Sequence, residues 1–294
     1  MVAVIGSGAI GGYFAAMLAD ASHDVTLCVR TPFERLVLED GGTTRDIPVT
    51  IATDPAEVAE TDFVVLATKA QDTGSAAPWF ERLAGQNTSV LVAQNGVEHA
   101  QRVQPLAPGA TIVPAIVYVA AERTRPGRVV HHSNSRMVLP DDPTGRGAKA
   151  RFAGSALQVD LAEDFLTTAW RKLLSNICAN PITALTLRRM EVFSEPAIRD
   201  LALGLMREGV AAARAAGARL ADGEAEAVLS SYGGVNSQSG SSMLYDRLSG
   251  RSLEYDHLTG AVLRAAARGG VDVPLNRAIH ALLAALDRSG EWRG

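Results

Sequence analysis

Short apolar runs alternate with helical spacing through the first half of the chain. The runs at Val2–Ile5, Val25–Val29, Phe63–Thr68 and Ser89–Ala93 predict buried strands, and the apolar spacing over Gly11–Ala19 predicts a helix. Such alternation is typical of βαβ units, in which helices cover the faces of a parallel sheet. We therefore expect an open, mostly parallel sheet in this half.

The pattern changes twice further along the chain. Short strands with polar turns are predicted at residues 112–119 and 127–139, and we expect these added strands to complete the sheet. Beyond them, the 3.6-residue period of amphipathic helices is found at residues 164–188, 195–216, 223–232, 239–248, 254–268 and 275–287. The sequence thus predicts an α/β domain over residues 1–163 and an all-helical domain over residues 164–294.

A glycine-rich motif, GxGxxG, lies between the first predicted strand and the first predicted helix. Gly6 allows a tight turn, Gly8 lets the backbone approach a pyrophosphate, and Gly11 lets the helix pack closely on the strand. The unpaired N–H groups and the dipole of a helix N-terminus also favour phosphates. This context predicts a Rossmann-type dinucleotide site formed by Gly6, Ser7, Gly8, Ala9, Ile10 and Gly11.

Arg30 stands where an NAD-binding site places an acidic residue. That acid follows the motif by about 20 residues and binds the ribose hydroxyls, but here the position at the end of the second predicted strand is Arg30. A guanidinium in this place can pair with a 2′-phosphate, so we expect NADP(H) rather than NAD(H). A solvated surface arginine is the alternative.

Two further polar positions follow predicted strands, at the carboxyl ends where ligands bind in open α/β sheets. They are Lys69 and the pair Asn95-Gly96. We expect Lys69 and Asn95 to face the nicotinamide half of the cofactor. The alternatives are an exposed loop lysine at 69 and an ordinary turn at 95–96.

A polar stripe runs along the first long helix of the second half. Lys172, Asn176 and Asn180 recur at steps of four and fall within an arc of about 80°. The residues between them that we expect to face the core are Leu173, Leu174, Ile177 and Cys178. Such a stripe is costly unless it meets a ligand or water, and an exposed helix face is the alternative. Lysines are rare in this chain, and a lysine, unlike an arginine, can give up its proton at an acid–base site.

Several separated motifs together resemble the ketopantoate reductase (2-dehydropantoate 2-reductase) family over nearly the full length. They are the glycine motif at 6–11, Lys69, Asn95-Gly96, Trp170-Arg171-Lys172-Leu173 with Asn176 and Asn180-Pro181, Ser241-Ser242-Met243-Leu244, and Gly250-Arg251 followed by Glu254. The resemblance implies an NADP(H)-binding Rossmann domain and a helical domain similar to the C-terminal domain of 6-phosphogluconate dehydrogenase. It also implies NADPH-dependent reduction of a 2-keto acid, ketopantoate to (R)-pantoate, in pantothenate and coenzyme A biosynthesis.

The resemblance assigns roles to individual residues. By similarity, Lys172 is the general acid and Glu254 binds the hydroxyl end of the substrate. The residues implied to position substrate and cofactor are Asn95, Asn176, Asn180 and Ser242. The chemistry agrees, because the carbonyl oxygen gathers negative charge during reduction and an ammonium can neutralise and then protonate it. For Glu254 the alternative is a first-turn acid favoured by the helix dipole.

Two departures from the family pattern concern the substrate. Tyr245 stands where the family often has glutamine, and Leu253-Glu254-Tyr255 replaces the more usual Thr-Glu-Ile. They leave open a different branched or hydroxylated 2-keto acid. A protein that senses NADPH without turnover is an alternative of another class, and a relative of the 3-hydroxyacyl or glycerol-3-phosphate dehydrogenases is a further one.

Composition and charge narrow the classes of function that remain for this chain. A net charge of -4 gives no general attraction to nucleic acid or membranes. The N-terminus lacks signal-peptide features, and no apolar run reaches the roughly 18 residues that span a bilayer, so we expect a cytoplasmic protein with a small-molecule partner. Cys28 and Cys178 are expected as buried thiols, and His131-His132 has no metal-ligand spacing, so no metal is predicted. Helical halves of this type often form homodimers, but the pattern shows no clear exposed seam.

Overall fold

The computed structural model describes residues 1–289, so the last five residues of the predicted helical domain lie outside the described part. The chain divides into two compact units, Met1–Phe165 and Leu166–Gly294. The strands β1 to β11 are Val2–Ile5, Val25–Cys28, Leu36–Asp40, Thr43–Ile47, Thr50–Ala52, Phe63–Leu66, Ser89–Val92, Thr111–Pro114, Ile116–Arg125, Arg128–Pro140 and Gln158–Ala162. The helices α1 to α10 are Ala9–Asp20, Ala77–Leu83, His99–Val103, Pro143–Ala150, Phe165–Thr186, Pro196–Ala215, Glu224–Ser231, Ser242–Leu248, Tyr255–Gly269 and Pro274–Ser289.

A six-stranded sheet forms the centre of the first unit. Its strand order is β5-β2-β1-β6-β7-β8, and every neighbouring pair is parallel. The strands β1, β2 and β6 are buried along their whole length. Continuous apolar strands are expected where both faces of a sheet are covered. The predicted Rossmann-type parallel sheet is confirmed.

The added strands form a second sheet as well as extending the first. β8 joins the parallel sheet, whereas β9 and β10 pair antiparallel and belong with β3, β4 and β11. β10 is long enough to pair in parallel with β3 at one end and with β11 at the other. Because these partners come from distant parts of the chain, the local pattern predicted the strands of the hairpin but not their separate sheet.

Helix α1 lies between the two sheets of this unit. It contacts β1 and β2 of the first sheet and β3, β9 and β10 of the second, and its residues from Gly11 to Leu18 are buried. At Gly12 a Cβ atom would stand 2.6 Å from a methyl group of Val129, so a side chain there would push the second sheet away. This packing holds the start of α1 next to the end of β1.

The second unit is built from α5 to α10. Helix α6 packs against α7, α9 and α10. The six predicted helical stretches correspond to these six helices, and the largest difference is at α8, predicted from residue 239 and observed from Ser242. The predicted all-helical second half is thereby confirmed. Within residues 1–289, no helix is both long enough and apolar enough to cross a membrane.

Candidate active site

The glycine turn joins β1 to α1. Gly6 has a φ of +103°, a conformation that favours glycine. A Cβ on Gly11 would lie 1.8 Å from the carbonyl oxygen of Gly6, so Gly11 is required for the turn to close. A Cβ on Gly8, by contrast, would meet nothing within 4 Å. The turn is therefore tight on its inner side and open at Gly8.

The N-terminus of α1 is suited to an anion. Gly8 is the N-cap residue, no side chain caps the helix, and its first turn contains no acidic residue. Unpaired backbone N–H groups at such an end favour phosphate. Ser7, Ala9 and Ile10 are half-buried and contribute backbone to the same turn. The residues present thus fit the pyrophosphate of a dinucleotide.

Arg30 lies two residues beyond β2 and points into solvent. Its side chain is 77% exposed, and its guanidinium stands 4.0 Å from the carboxylate of Asp72. An ion pair of this length between exposed groups contributes little to stability. The side chain is therefore able to reorient toward a ligand, although a solvated arginine would look the same.

Lys69 and Asn95 follow β6 and β7, which are adjacent parallel strands. Both residues are half-buried. Gly96, after Asn95, has a φ of +105° and turns the chain sharply at the strand end. The two side chains are thus presented from neighbouring loops at the carboxyl edge of the sheet.

Gln94 connects these two loops, and the sequence analysis missed it. The residue is 6% exposed. Its Nε2 donates to the carbonyl oxygen of Thr68 at 3.1 Å and to Oγ1 of Thr73 at 3.0 Å, and its Oε1 accepts from Nε of Arg102 at 3.0 Å. A polar residue directly after an apolar strand was the available signal. Gln94 fixes the loop that contains Lys69 against the loop that contains Asn95.

The polar stripe of the second unit lies on α5. The residues predicted to face the core, Leu173, Leu174, Ile177 and Cys178, are each at most 1% exposed, which confirms that orientation. Lys172 and Asn176 are half-buried, and Asn180 is buried. The stripe is therefore not an ordinary exposed helix face.

Helix α8 is attached to this stripe through two serines. The hydroxyl of Ser242 donates to Oδ1 of Asn180 at 3.4 Å. Ser241 caps α8 by accepting the N–H of Leu244, and its hydroxyl lies 2.6 Å from that of Thr183 on α5. Ser242 was predicted as a site residue, whereas the contribution of Thr183 was missed. These bonds fix the start of α8 against the part of α5 that contains Asn180.

Lys172 and Glu254 interact electrostatically. Burial lowers the pKa of Lys172 from 10.5 to about 8, and the carboxylate of Glu254 opposes that shift. Glu254 is buried and directly precedes α9, yet its side chain does not cap the helix. Its interaction with Lys172 favours a role in the site over that of a capping acid. The ammonium is thus charged at neutral pH but within reach of losing its proton.

No group of three or more His, Cys, Asp or Glu side chains in the described residues could hold a metal ion. Cys28 and Cys178 are free and buried, as predicted. Burial raises the pKa of each thiol to about 12, which makes both unreactive at neutral pH.

Two family models together match most of the chain. The model described as ketopantoate reductase PanE/ApbA matches residues 2–143, and the one described as ketopantoate reductase PanE/ApbA C terminal matches residues 164–287. The chain belongs to the ketopantoate reductase family. It is accordingly an oxidoreductase, and its family implies a nicotinamide cofactor.

Similar proteins cover nearly the whole chain. The 2-dehydropantoate 2-reductase of Caulobacter vibrioides is 37% identical over 283 residues, which are 96% of this chain and 97% of that protein. The crystal structure of a ketopantoate reductase from Ralstonia eutropha has a TM-score of 0.90 at 31% identity, covering 99% of this chain and 100% of that one. A dimeric ketopantoate reductase from Staphylococcus aureus has a TM-score of 0.89 at 25% identity, covering 98% and 99% of the two chains.

The two departures from the ketopantoate reductase pattern have different surroundings. Leu253 is 3% exposed and packs in the core. Tyr245 is 43% exposed, and its hydroxyl accepts the backbone N–H of Gly240 at 3.0 Å. The hydroxyl of Tyr245 is thus used to hold the loop before α8. Of the two, Tyr245 is the one whose side chain remains accessible.

Proposed function

We propose that this protein reduces a 2-keto acid with NADPH, and that the acid is 2-dehydropantoate, giving (R)-pantoate for pantothenate and coenzyme A biosynthesis. The observation that carries the proposal is the electrostatic interaction between half-buried Lys172, on the polar stripe of α5, and buried Glu254. The substrate name is supported by relatives that are named 2-dehydropantoate 2-reductase.

The first unit is proposed to hold the cofactor. The turn formed by residues 6–11 would bind the pyrophosphate through backbone N–H groups, and Arg30 would pair with the 2′-phosphate. Lys69 and Asn95, at the ends of β6 and β7, would contact the nicotinamide half. The cofactor supplies a hydride to the carbonyl carbon of the substrate. In this proposal residues 1–163 are the NADP(H)-binding domain and residues 164–294 the substrate domain.

Lys172 is proposed as the general acid. As the carbonyl oxygen of the substrate gathers negative charge, the ammonium of Lys172 neutralises it and then donates a proton to it. A pKa of about 8 suits this role, because the group is protonated at neutral pH and yet gives up its proton more readily than an ordinary lysine. Glu254 keeps the ammonium charged before the reaction.

The neutral polar residues are proposed to bind and orient the substrate. Asn176, Asn180 and Ser242 offer amide and hydroxyl donors to a carboxylate or hydroxyl. The carboxylate of Glu254 would accept a hydrogen bond from the hydroxyl end of the substrate. Because Asn180 already bonds to Ser242, its orientation is set before substrate arrives.

The test is steady-state oxidation of NADPH and of NADH with ketopantoate and a panel of other 2-keto acids. We expect ketopantoate with NADPH to give the highest kcat/KM, and Lys172→Ala to abolish most of it. Turnover of another 2-keto acid but not of ketopantoate would support the proposed type of reaction and would show that ketopantoate is not the substrate. A wild type that binds NADPH tightly but reduces none of the acids would favour an NADPH sensor.

Oligomeric state and location remain predictions. A homodimer is supported by the dimeric relative from Staphylococcus aureus, and light scattering of the purified protein would test it. A cytoplasmic location is expected from the sequence, and fractionation of cells would test that.

A further inference from the structure

The loop that contains Glu254 joins α8 to α9 and is held by side chains near both of its ends. Near its start, the backbone N–H of Arg251 donates to the carbonyl oxygen of Asp246 at 2.9 Å, and Nε of Arg251 lies 3.3 Å from the carboxylate of Asp246. Near its end, the backbone N–H of Leu253 donates to Oδ1 of Asp287 on α10 at 3.1 Å. The second contact is made by the residue directly before Glu254.

The residues that follow Glu254 are held by the same helix, α10. The ring of Tyr255 packs against that of His280, with centroids 5.1 Å apart and an interplanar angle of 61°. The buried hydroxyl of Thr259 donates to the carbonyl oxygen of Tyr255 at 2.9 Å and lies 3.0 Å from Nδ1 of His280. Glu254 therefore lies between two contacts with α10, one on each side along the chain.

Asp287 supplies a carboxylate close to the start of α9, where a helix favours negative charge. Glu254 is the N-cap residue of this helix, yet its side chain makes no cap. The half-buried Asp287 instead accepts a backbone N–H one residue earlier. The carboxylate of Glu254 is accordingly not used at the helix start, and it acts on Lys172.

The position of the backbone at residue 253 affects how strongly that carboxylate acts. Leu253 and Glu254 are 3% and 5% exposed, so both are packed against their surroundings. The attraction between two charges falls as the distance between them grows, and away from water it is screened less. A shift of the Leu253 backbone would therefore change the support that the ammonium of Lys172 receives.

We propose that Asp287 is a positioning residue, whose carboxylate holds the backbone of Leu253 and thereby sets where the carboxylate of Glu254 lies relative to Lys172. This role rests on the proposed function, because it concerns the protonation of the general acid. Asp287 itself touches neither substrate nor cofactor in this scheme.

Asp287→Ala tests the proposal, because it removes the acceptor of the Leu253 N–H. We expect the alkaline limb of kcat/KM for the keto acid to move to lower pH by roughly half a unit, because a displaced carboxylate supports the ammonium less. At about pH 8, kcat/KM should fall roughly three- to tenfold, since small misplacements near the reacting atoms are costly. Asp287→Asn should retain the wild-type profile, because its amide oxygen still accepts the N–H although the charge is gone.

Two further comparisons test whether the effect passes through Glu254. Asp272→Ala is the matched control, since it removes an aspartate from an exposed ion pair with Arg277 beside α10, and it should leave the limb in place. In a Glu254→Gln background, Asp287→Ala should move the limb no further, because the carboxylate that it positions is already absent. If Asp287→Ala does not fold, Asp287→Glu takes its place, as it keeps the charge but moves the acceptor by one methylene group.

Labelling of Lys172 gives a readout that does not need turnover. Brief reaction with acetic anhydride at a series of pH values, followed by peptide mass spectrometry, measures the pH at which this amine loses its proton, with the exposed Lys149 as internal standard. We expect a midpoint near 8 in wild type and in Asp287→Asn, and a lower one in Asp287→Ala. If wild type reduces no keto acid, the proposed function fails, and the labelling alone decides the role of Asp287.

Three results would overturn the positioning role. In the first, Asp287→Ala has a lowered melting temperature but a wild-type pH profile, as a purely structural contact would give. In the second, Asp287→Asn moves the limb as far as Asp287→Ala, so that the charge of Asp287 and not its hydrogen bond is responsible. In the third, the shifts of Asp287→Ala and Glu254→Gln add in the double variant, so that the two residues act independently.

Discussion

The candidate regions of the two units are built in different ways. In the first unit the turn between β1 and α1 is shaped by the absence of side chains, since Gly6 and Gly11 are needed for the backbone to close. In the second unit the stripe on α5 is made of side chains whose positions depend on other elements. Ser242 and Glu254 both reach it from distant parts of the sequence.

This difference separates cofactor binding, which is proposed for the turn, from the proton transfer proposed for the stripe. A backbone turn recognises phosphate by shape and dipole, which every dinucleotide shares. A proton donor must instead have a suitable pKa, and that requires surroundings in which burial and a nearby carboxylate act together. We therefore expect changes in the turn to affect mainly the affinity for the cofactor and changes at Lys172 to affect mainly the rate of reduction.

The strongest test of that division is Lys172→Ala. We expect kcat to fall by about 10²- to 10⁴-fold, the range for loss of a general acid, while the Kd for NADPH stays near wild type. Lys172→Arg is the control, because it keeps the positive charge but has no proton to give, and it should recover little of the rate. Stopped-flow reduction and fluorescence titration measure the two quantities. Loss of NADPH binding in either variant would contradict the division.

A smaller effect is expected at the turn, from Gly8→Ala. Because no protein atom lies within 4 Å of the added methyl group, the melting temperature should stay at the wild-type value. The Kd for NADPH should rise about tenfold, since the methyl group would occupy space needed by the pyrophosphate. Calorimetry and fluorescence titration give the two values.

Gly147→Ala is the matched control for Gly8→Ala. Gly147 is a helical glycine in α4, and its added methyl group would likewise meet nothing within 4 Å. We expect unchanged affinity and a small gain in stability, as is usual for glycine to alanine within a helix. If both substitutions left the Kd for NADPH unchanged, the turn would not be the phosphate site.

Arg30→Ala should weaken the preference for NADPH over NADH while leaving the glycine turn unchanged. Losing one charge-assisted contact to a 2′-phosphate should raise the KM for NADPH by roughly tenfold. The KM for NADH should change little, because that cofactor lacks the phosphate. Comparing the two cofactors under steady-state conditions checks this. Equal losses for both cofactors would show that Arg30 does not read the phosphate.

The smallest expected effect is a shift of the pH profile of kcat/KM when Glu254 is replaced. With Lys172 near pKa 8, kcat/KM should be level below that pH and fall tenfold per unit above it, as the proton donor is lost. Glu254 raises the pKa of Lys172, so Glu254→Gln should lower it and move the alkaline limb to lower pH. A pH profile of both proteins measures the shift. A limb that stays in place, or moves upward, would show that the carboxylate does not support the ammonium.

The sequence predicted those parts of the molecule that depend on neighbours along the chain. The glycine motif and the stripe of Lys172, Asn176 and Asn180 are both local patterns, with fixed spacing on one element. The parallel sheet and the six helices of the second half follow from the same kind of periodicity. The roles assigned to these residues remain predictions until the variants are measured.

Other features depend on pairings that local pattern does not contain. β10 joins β3 and β11 in a second sheet although both come from remote segments. Gln94 was missed for the same reason, since its importance comes only from partners in another loop. A polar residue after an apolar strand marks a candidate position, but it does not indicate which residues will be its partners.

The exposure of Arg30 has a consequence for evolution and for engineering. Its side chain lies outside the core, and its only described ionic contact is the long one to Asp72. If Arg30 reads the 2′-phosphate as proposed, a single substitution at this exposed position would change the preferred cofactor without disturbing the turn or the stripe. The preference for NADPH or NADH would then be open to change, by selection or by design, while the stability of the fold stays the same.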